Sequence, residues 1–295
     1  MKAYFHLPGL FEYYELYKRF LSLFFSHKEY FYDYVEIGSI YGCNDDCIWN
    51  GGRTNIECDT SIDKVIELIN KYNLSARLTL SNLLIEDKHL NAEDSNELVN
   101  KFNNTNNGII IGSDLLLNYL KNNYKNYYYV SSTTKVIRDY DKVIKELNND
   151  DYKYVVLDFR LNHDYAFLNS LTSKQRNKIE LLCNECCDIN CADRRKCYEN
   201  VSALNLGLNV AEHRCTGKNG SQGYKFSSAK NNPSFISNED IINTYLPIGI
   251  NQFKIEGRGL GSAIVLEFLL YYLVKPEYEL KVREEIYLDS MLDLF

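Results

Sequence analysis

A chain of 295 residues that is 45% hydrophobic can bury a large core without disulfides, as one barrel-sized domain or two ordinary ones. Its net charge of −7 argues against broad non-specific binding to nucleic acid, although a local basic site is compatible with it. The opening "MKAYFHLPGLFEYYELYKRFLSLFF" carries Pro8, Gly9 and scattered charges, so it lacks the apolar core and cleavage site of a secretory signal, and the longest apolar runs fall short of a membrane span. The expectation is a cytoplasmic, reducing setting in which nine cysteines, an odd number, serve as thiols or metal ligands and not as bridges. The 25 tyrosines, dense in "YKNYYYVSSTT", read as a coding bias ahead of a base-stacking platform.

Nothing marks a domain boundary before Lys275, so one domain is expected over 1–275, followed by a helical tail over 276–295 that closes an end of it or meets a partner. Candidate strands are "AYFHL" (3–7), "YVEIGSI" (34–40), "ARLTLS" (76–81), "GIIIGS" (108–113), "YYYVSST" (127–133), "YVVLDF" (154–159), "IELLCNE" (179–185) and "QFKIEGR" (252–258). Amphipathic stretches fill the gaps at 10–26, 61–72, 92–102, 114–122, 139–147, 165–171, 194–204, 238–246 and 261–274. "SNED" (237–240) reads as a capping box, in which a Ser hydroxyl and an acidic side chain satisfy free amides. Eight strands with helices between them predict an α/β fold, a (β/α)8 barrel of the TIM type; a doubly wound open sheet would leave strands over at its edges.

In such a barrel the chemistry sits at the C-terminal strand ends and in the loops that follow. Cys43, Cys47 and Cys58 follow the second strand; Cys186, Cys187, Cys191, Cys197 and Cys215 follow the seventh, and Cys183 alone lies inside a strand. Cysteines used as core filler would be scattered through the other units, and they are not. Strands seven, eight, one and two are consecutive around a closed ring, so both cysteine loops can lean over one quadrant and share a metal. In "LLCNECCDINCADRRKCYENVS" the gaps after Cys187 are three residues to Cys191, five to Cys197 and seventeen to Cys215. Such irregular spacing suits an iron–sulfur cluster of the four-iron type; zinc, or reduced thiols with no metal, are the alternatives. Arg194, Arg195 and Lys196 would offset the charge of a thiolate cluster or form an ordinary solvated face, and His213 could replace one ligand.

Strand eight sets Lys254, Glu256 and Arg258 on one face by its period of two, which points them to the barrel mouth. Gly257, Gly259 and Gly261 then lead into a helix. The loops after strands seven and eight commonly form the anion site of a barrel, so Arg258 and the backbone at Gly259 read as a place for phosphate or carboxylate, with Glu256 orienting the arginine.

"FKIEGRG" together with "LLCNECCDINCADRRKCYENVS" resembles the collagenase-like peptidase family of unknown catalytic type, whose members carry a "KIEGR" motif and a strand-end Asn-Glu followed by a cysteine cluster. The resemblance covers mainly 179–258. It implies a barrel, a four-iron, four-sulfur cluster in many members, and oxygen-independent hydroxylation in some. On this sequence it falls on Asn184 and Glu185, on Cys187 and Cys191 as cluster ligands, and on Lys254, Glu256 and Arg258. Cys183, Cys186 and Cys197 depart from the pattern, and Cys43 or Cys47 is left to supply a further thiolate.

His6, before "LPG", reads as a general acid or base at the mouth or as a hydrogen-bonded structural histidine. Glu36, Asp158 and Arg160 end strands, where they contact substrate or form a polar network; "CIWNGGR" (47–53) reads as a lid or a surface loop. The features favour an iron–sulfur barrel enzyme of redox or modification type, acting on a small or peptide-borne anion with an electron donor or partner enzyme. Its catalytic residues would be Glu256, Arg258 and His6; its substrate contacts Asn184, Glu185, Lys254, Arg258 and Gly259; its metal ligands Cys187, Cys191, Cys197, Cys215 and Cys43. The alternative is a peptidase-like or non-catalytic peptide-binding protein with zinc or free thiols. Long RNA is disfavoured, since no extended basic stripe is present, and no membrane partner is implied.

Overall fold

Alternation along each strand separates an outer face, packed under helices, from an inner one. In β1 (Ala3–Pro8), Phe5 and Leu7 are fully buried in the outer core, where Phe5 meets Phe253 and Tyr272, while His6 turns inward to Ser39 and Gln252. The same pattern recurs in β2 (Val35–Gly42), β3 (Ala76–Leu80), β4 (Gly108–Ile111), β5 (Tyr128–Ser131), β6 (Tyr152–Val156), β7 (Ile179–Leu182) and β8 (Gln252–Lys254). All pair in parallel in chain order, and β8 closes onto β1, which makes the expected (β/α)8 barrel. This computed structural model describes residues 1–53, 60–215, 217 and 225–292, the side chains of 289–292 excepted. Cys58 therefore lies outside the described residues.

Local chemistry places the helices where the sequence pattern has them. Ser61, Ser113, Asp139 and Asp164 each cap a helix by accepting from the backbone amide three residues on, and Ser237 and Asp240 form the predicted capping box. The helix expected over 238–246 is instead one short turn, Asn238–Asp240, running into a π-helical stretch, Ile241–Tyr245. The last helix, Glu279–Leu292, lies against Tyr14–Ser26 and Ser262–Leu273, burying Val282 and Ile286 and joining Arg283 to Glu267 at 2.8 and 3.0 Å. Among the described residues no helix is long and apolar enough to cross a membrane.

Two strands are shorter than their apolar runs suggest, and one side chain explains both. The carboxamide of Asn184 donates to the Glu256 carbonyl at 3.0 Å and accepts from its amide at 2.7 Å, replacing the next rung of the β7–β8 ladder. The chain is thereby freed from strand geometry at 183–185 and 255–258, where the polar residues gather.

Candidate active site

The clamp made by Asn184, itself fully buried, sets the ends of β7 and β8 side by side at the C-terminal mouth and brings the carboxyls of Glu185 and Glu256 together. Arg53, from the loop after β2, bridges them: Nη2 donates to Glu185 at 3.0 Å and to Glu256 at 2.8 Å, while Nη1 donates to the Cys187 sulfur at 3.2 Å. From below, Arg194 at the start of helix Arg194–Asn205 reaches Glu185 at 2.6 Å and donates to the Tyr198 hydroxyl at 3.0 Å. Glu185 also accepts from the amides of Cys186 and Cys187, each at 3.1 Å.

The two carboxyls consequently differ in charge. Burial works against ionisation of Glu185, but Arg194 and Arg53 outweigh it and hold this carboxyl well below the usual range. Burial, and then the negative charge of Glu185, push Glu256 up to about 8. The Glu256 carboxyl oxygen Oε2 is buried and receives no hydrogen bond among the described residues, so a proton there gives it a donor for Glu185. The result is an acid kept neutral beside its ionised partner, the division of roles from which general acid–base catalysis is built. Glu256 is 22% exposed and Arg53 33%, so this pair faces the mouth while Glu185 does not.

The thiols divide into two groups. Cys43 and Cys47 are free, buried thiols in the loop after β2 that share a hydrogen bond; the charged groups acting on Cys43 include Arg258 and Glu12, and among the described residues no thiol of the β7 loop is grouped with it to hold a metal. Cys43 is therefore set apart from the expected ligands. Cys186, Cys187, Cys191 and Cys197 are partly exposed and Cys215 exposed, all in the excursion after β7. Burial raises the Cys187 thiol to about 12, and it raises Cys197, which also feels Cys215 and Cys191. These soft donors fit an iron–sulfur cluster or a zinc ion in kind. They are not drawn together: among the described residues no three His, Cys, Asp or Glu side chains are grouped to hold a metal ion.

Several expected roles are corrected by position. Arg258 is a strut and not an open fork: Nε donates to Glu12 at 2.8 Å, Nη1 to Thr79 at 2.8 Å and Asn50 at 3.1 Å, and Nη2 to the Cys43 carbonyl at 3.3 Å. Gly52 seals it, since a Cβ there would stand 2.4 Å from Nη1. The turn at Gly259 is exposed, but its neighbouring amides are engaged: Leu260 donates to the Gly257 carbonyl and Gly261, at φ +85°, to the Tyr13 hydroxyl. Lys254 points into the barrel, 3.3 Å above the Tyr41 ring and 3.8 Å from Glu180, and burial lowers its pKa to about 7. His6 lies within β1 and not at the mouth; burial, then Arg77, bring it down to about 3, so it is neutral. Asp158 and Arg160 pair with each other at 2.6 Å, and Arg160 Nη1 donates to the Cys191 carbonyl, tying the thiol-rich loop to the end of β6.

The pattern reading missed Arg53 and Arg194 as partners of Glu185. Arg53 stood in a loop whose only visible signal was its Trp, and Arg194 stood in a charged run on a helix face. It also missed Arg77 and Glu180, joined at 2.6 Å inside the barrel. Charges in the middle of "ARLTL" and "IELL" were the available signal.

No protein-family profile matches the chain, and no curated protein matches it significantly. Among solved structures, that of the U32 peptidase Mk0906 is similar, with a TM-score of 0.53 and 12% identity over 87% of this chain and 93% of that one. At such low identity the likeness is one of fold. The expectation drawn from "FKIEGRG" and the thiol-rich segment is met at that level: the chain shares its barrel with a peptidase of the collagenase-like U32 group.

Proposed function

We propose that the protein is an enzyme whose active site is the C-terminal mouth of the barrel and whose proton donor and acceptor is Glu256. The observation that carries this reading is the Glu185–Glu256 pair, bridged by Arg53, with Arg194 on Glu185 alone, so that burial and the charge of Glu185 raise the Glu256 carboxyl where it opens to the mouth. Arg53, Arg160 and Arg194 stand against the charges of Glu185 and Asp158, which with a neutral Glu256 leaves an excess of one positive charge. That excess favours a small or peptide-borne anionic substrate, for which Arg53 at the rim is the cation in reach. Glu256 would protonate a leaving or developing anionic atom and take the proton back in the reverse step; Glu185, saturated by donors, would tune Glu256 and not react.

In the same reading the loop after β7 would hold an iron–sulfur cluster through Cys187, Cys191, Cys197 and Cys215, soft donors that suit it in kind. Such a cluster, when bound, supplies one-electron or Lewis-acid chemistry beside the carboxyl pair. A second reading, peptide hydrolysis, is favoured by the barrel's likeness to a U32 peptidase and by a carboxyl pair sharing one proton, an arrangement that can activate water.

Anaerobic reconstitution of the full chain with ferrous iron and sulfide, followed by absorption spectroscopy, separates the two. A broad thiolate-to-iron absorption that is lost in Cys191→Ala supports the cluster enzyme. A colourless protein that cleaves a fluorogenic peptide pool, with cleavage lost in Glu256→Gln, replaces it by the hydrolase. No colour and no cleavage would overturn both.

A further inference from the structure

The opposite end of the barrel is unusual for this fold, whose N-terminal face ordinarily serves stability and whose interior is filled by branched aliphatic side chains. Here it opens into a cavity of about 370 Å³, within the size range of small-molecule sites. Tyr4, His6, Arg77, Tyr128, Tyr154 and Gln252 are among its lining, and Tyr4, Arg77, Tyr128 and Gln252 come from the first two residues of their strands. Tyr128 and Tyr154 meet edge to face at 6.4 Å and back onto a separate apolar cluster inside the barrel, Tyr41, Ile110, Val130 and Val156. None of the residues lining the cavity belongs to the carboxyl site at the other mouth.

Charge is concentrated there with one sign. Arg77 is 1% exposed; its Nε donates to the Tyr128 hydroxyl at 2.9 Å and its Nη1 to Glu180 at 2.6 Å, while Nη2 has no acceptor among the described residues. Lys153 stands at the rim with its ammonium 4.4 Å from the centre of the Tyr128 ring and 5.4 Å from that of Tyr154, and it has no acidic partner among the described residues. The carboxylate paired with Arg77 is Glu180, which also has Lys254 at 3.8 Å. Two cations thus face a cavity walled by aromatic rings, in a chain whose net charge is −7. Sealing the barrel would need none of this, and burying Arg77 with Glu180 costs more than aliphatic packing would.

We propose that this N-terminal mouth is a second binding site, for a small planar organic anion whose acid group meets Arg77 Nη2 and Lys153 and whose ring lies against Tyr128 and Tyr154. The proposal is independent of the chemistry assigned to the carboxyl pair. Neutral His6 and Gln252, bonded to each other at 3.0 Å, form the polar end wall and add no negative charge.

The test uses benzoate as the probe, with benzamide as its neutral counterpart, titrated into the full chain by calorimetry. Benzoate is expected to bind about tenfold more tightly than benzamide, because the acid group makes charge-assisted bonds that the amide cannot. Lys153→Gln, at an exposed rim position, is expected to weaken benzoate severalfold without moving the melting temperature. Failure of benzoate to bind, equal binding of the two probes, or unchanged benzoate affinity in Lys153→Gln would overturn the proposal.

Discussion

Replacing Glu256 by Gln probes the carboxyl pair without knowledge of the substrate. Gln keeps an acceptor for Arg53 Nη2 and a donor for Glu185, so it imitates the protonated acid and only removes the ability to ionise. A carboxyl whose pKa rises from 4.5 to about 8 on folding binds its proton in the native state over a range where the unfolded chain does not. Stability from this group is therefore greatest below 4.5 and is lost as pH rises towards 8, by about 1.4 kcal/mol per pH unit. Between pH 6 and 9 the undiscounted loss is close to 3 kcal/mol; sharing of the proton with Glu185 and a 22% exposed side chain reduce it to about 1–2 kcal/mol. Urea denaturation of wild type and Glu256→Gln at pH 6 and pH 9 reads the change in their difference, which cancels the other titrating groups. The variant should gain on wild type by that amount as pH rises. Parallel stability curves, or a variant that loses ground at high pH, would refute the protonated-acid reasoning.

Asn184→Ala removes both buried bonds to the Glu256 backbone and should cost about 2–3 kcal/mol in urea denaturation, with the pH dependence assigned to Glu256 lost as its carboxyl drifts from Glu185. Arg258→Lys should cost about 3 kcal/mol, because one ammonium cannot replace donors to Glu12, Thr79, Asn50 and the Cys43 carbonyl; a change below about 0.5 kcal/mol would restore the open anion fork. Arg53→Gln removes the cation nearest Glu256 and should move its titration further up, by about one unit, seen as a later loss of stability with rising pH; a downward shift would contradict the geometry.

The barrel was legible because strand and helix periods repeat along the chain, and each cap residue stood where its helix begins. Strand ends were less legible: the runs "IELLCNE" and "QFKIEGR" continue in strand-like composition past the points where Asn184 interrupts the ladder. Hence Glu256 was placed at the mouth for a reason that holds only in part, since period two also put Lys254 and Arg258 there, and they turn inward. Arg258 shows why charge pattern alone misleads. A guanidinium beside a glycine-rich turn has the composition of an anion site, and only the positions of Glu12, Asn50 and Thr79, far away in sequence, show that its donors are taken. Arg53 escaped for the converse reason: its partners Glu185 and Glu256 lie more than a hundred residues on, and no local spacing links them.

The proton on Glu256 at neutral pH is the claim on which the catalytic reading rests, and infrared difference spectroscopy between wild type and Glu256→Gln observes it directly. The account predicts a protonated-carboxyl carbonyl band in wild type at pH 7 that is absent from the variant and titrates away with a midpoint of about 8. A band already gone above about pH 5, as for an ordinary carboxyl, would contradict it.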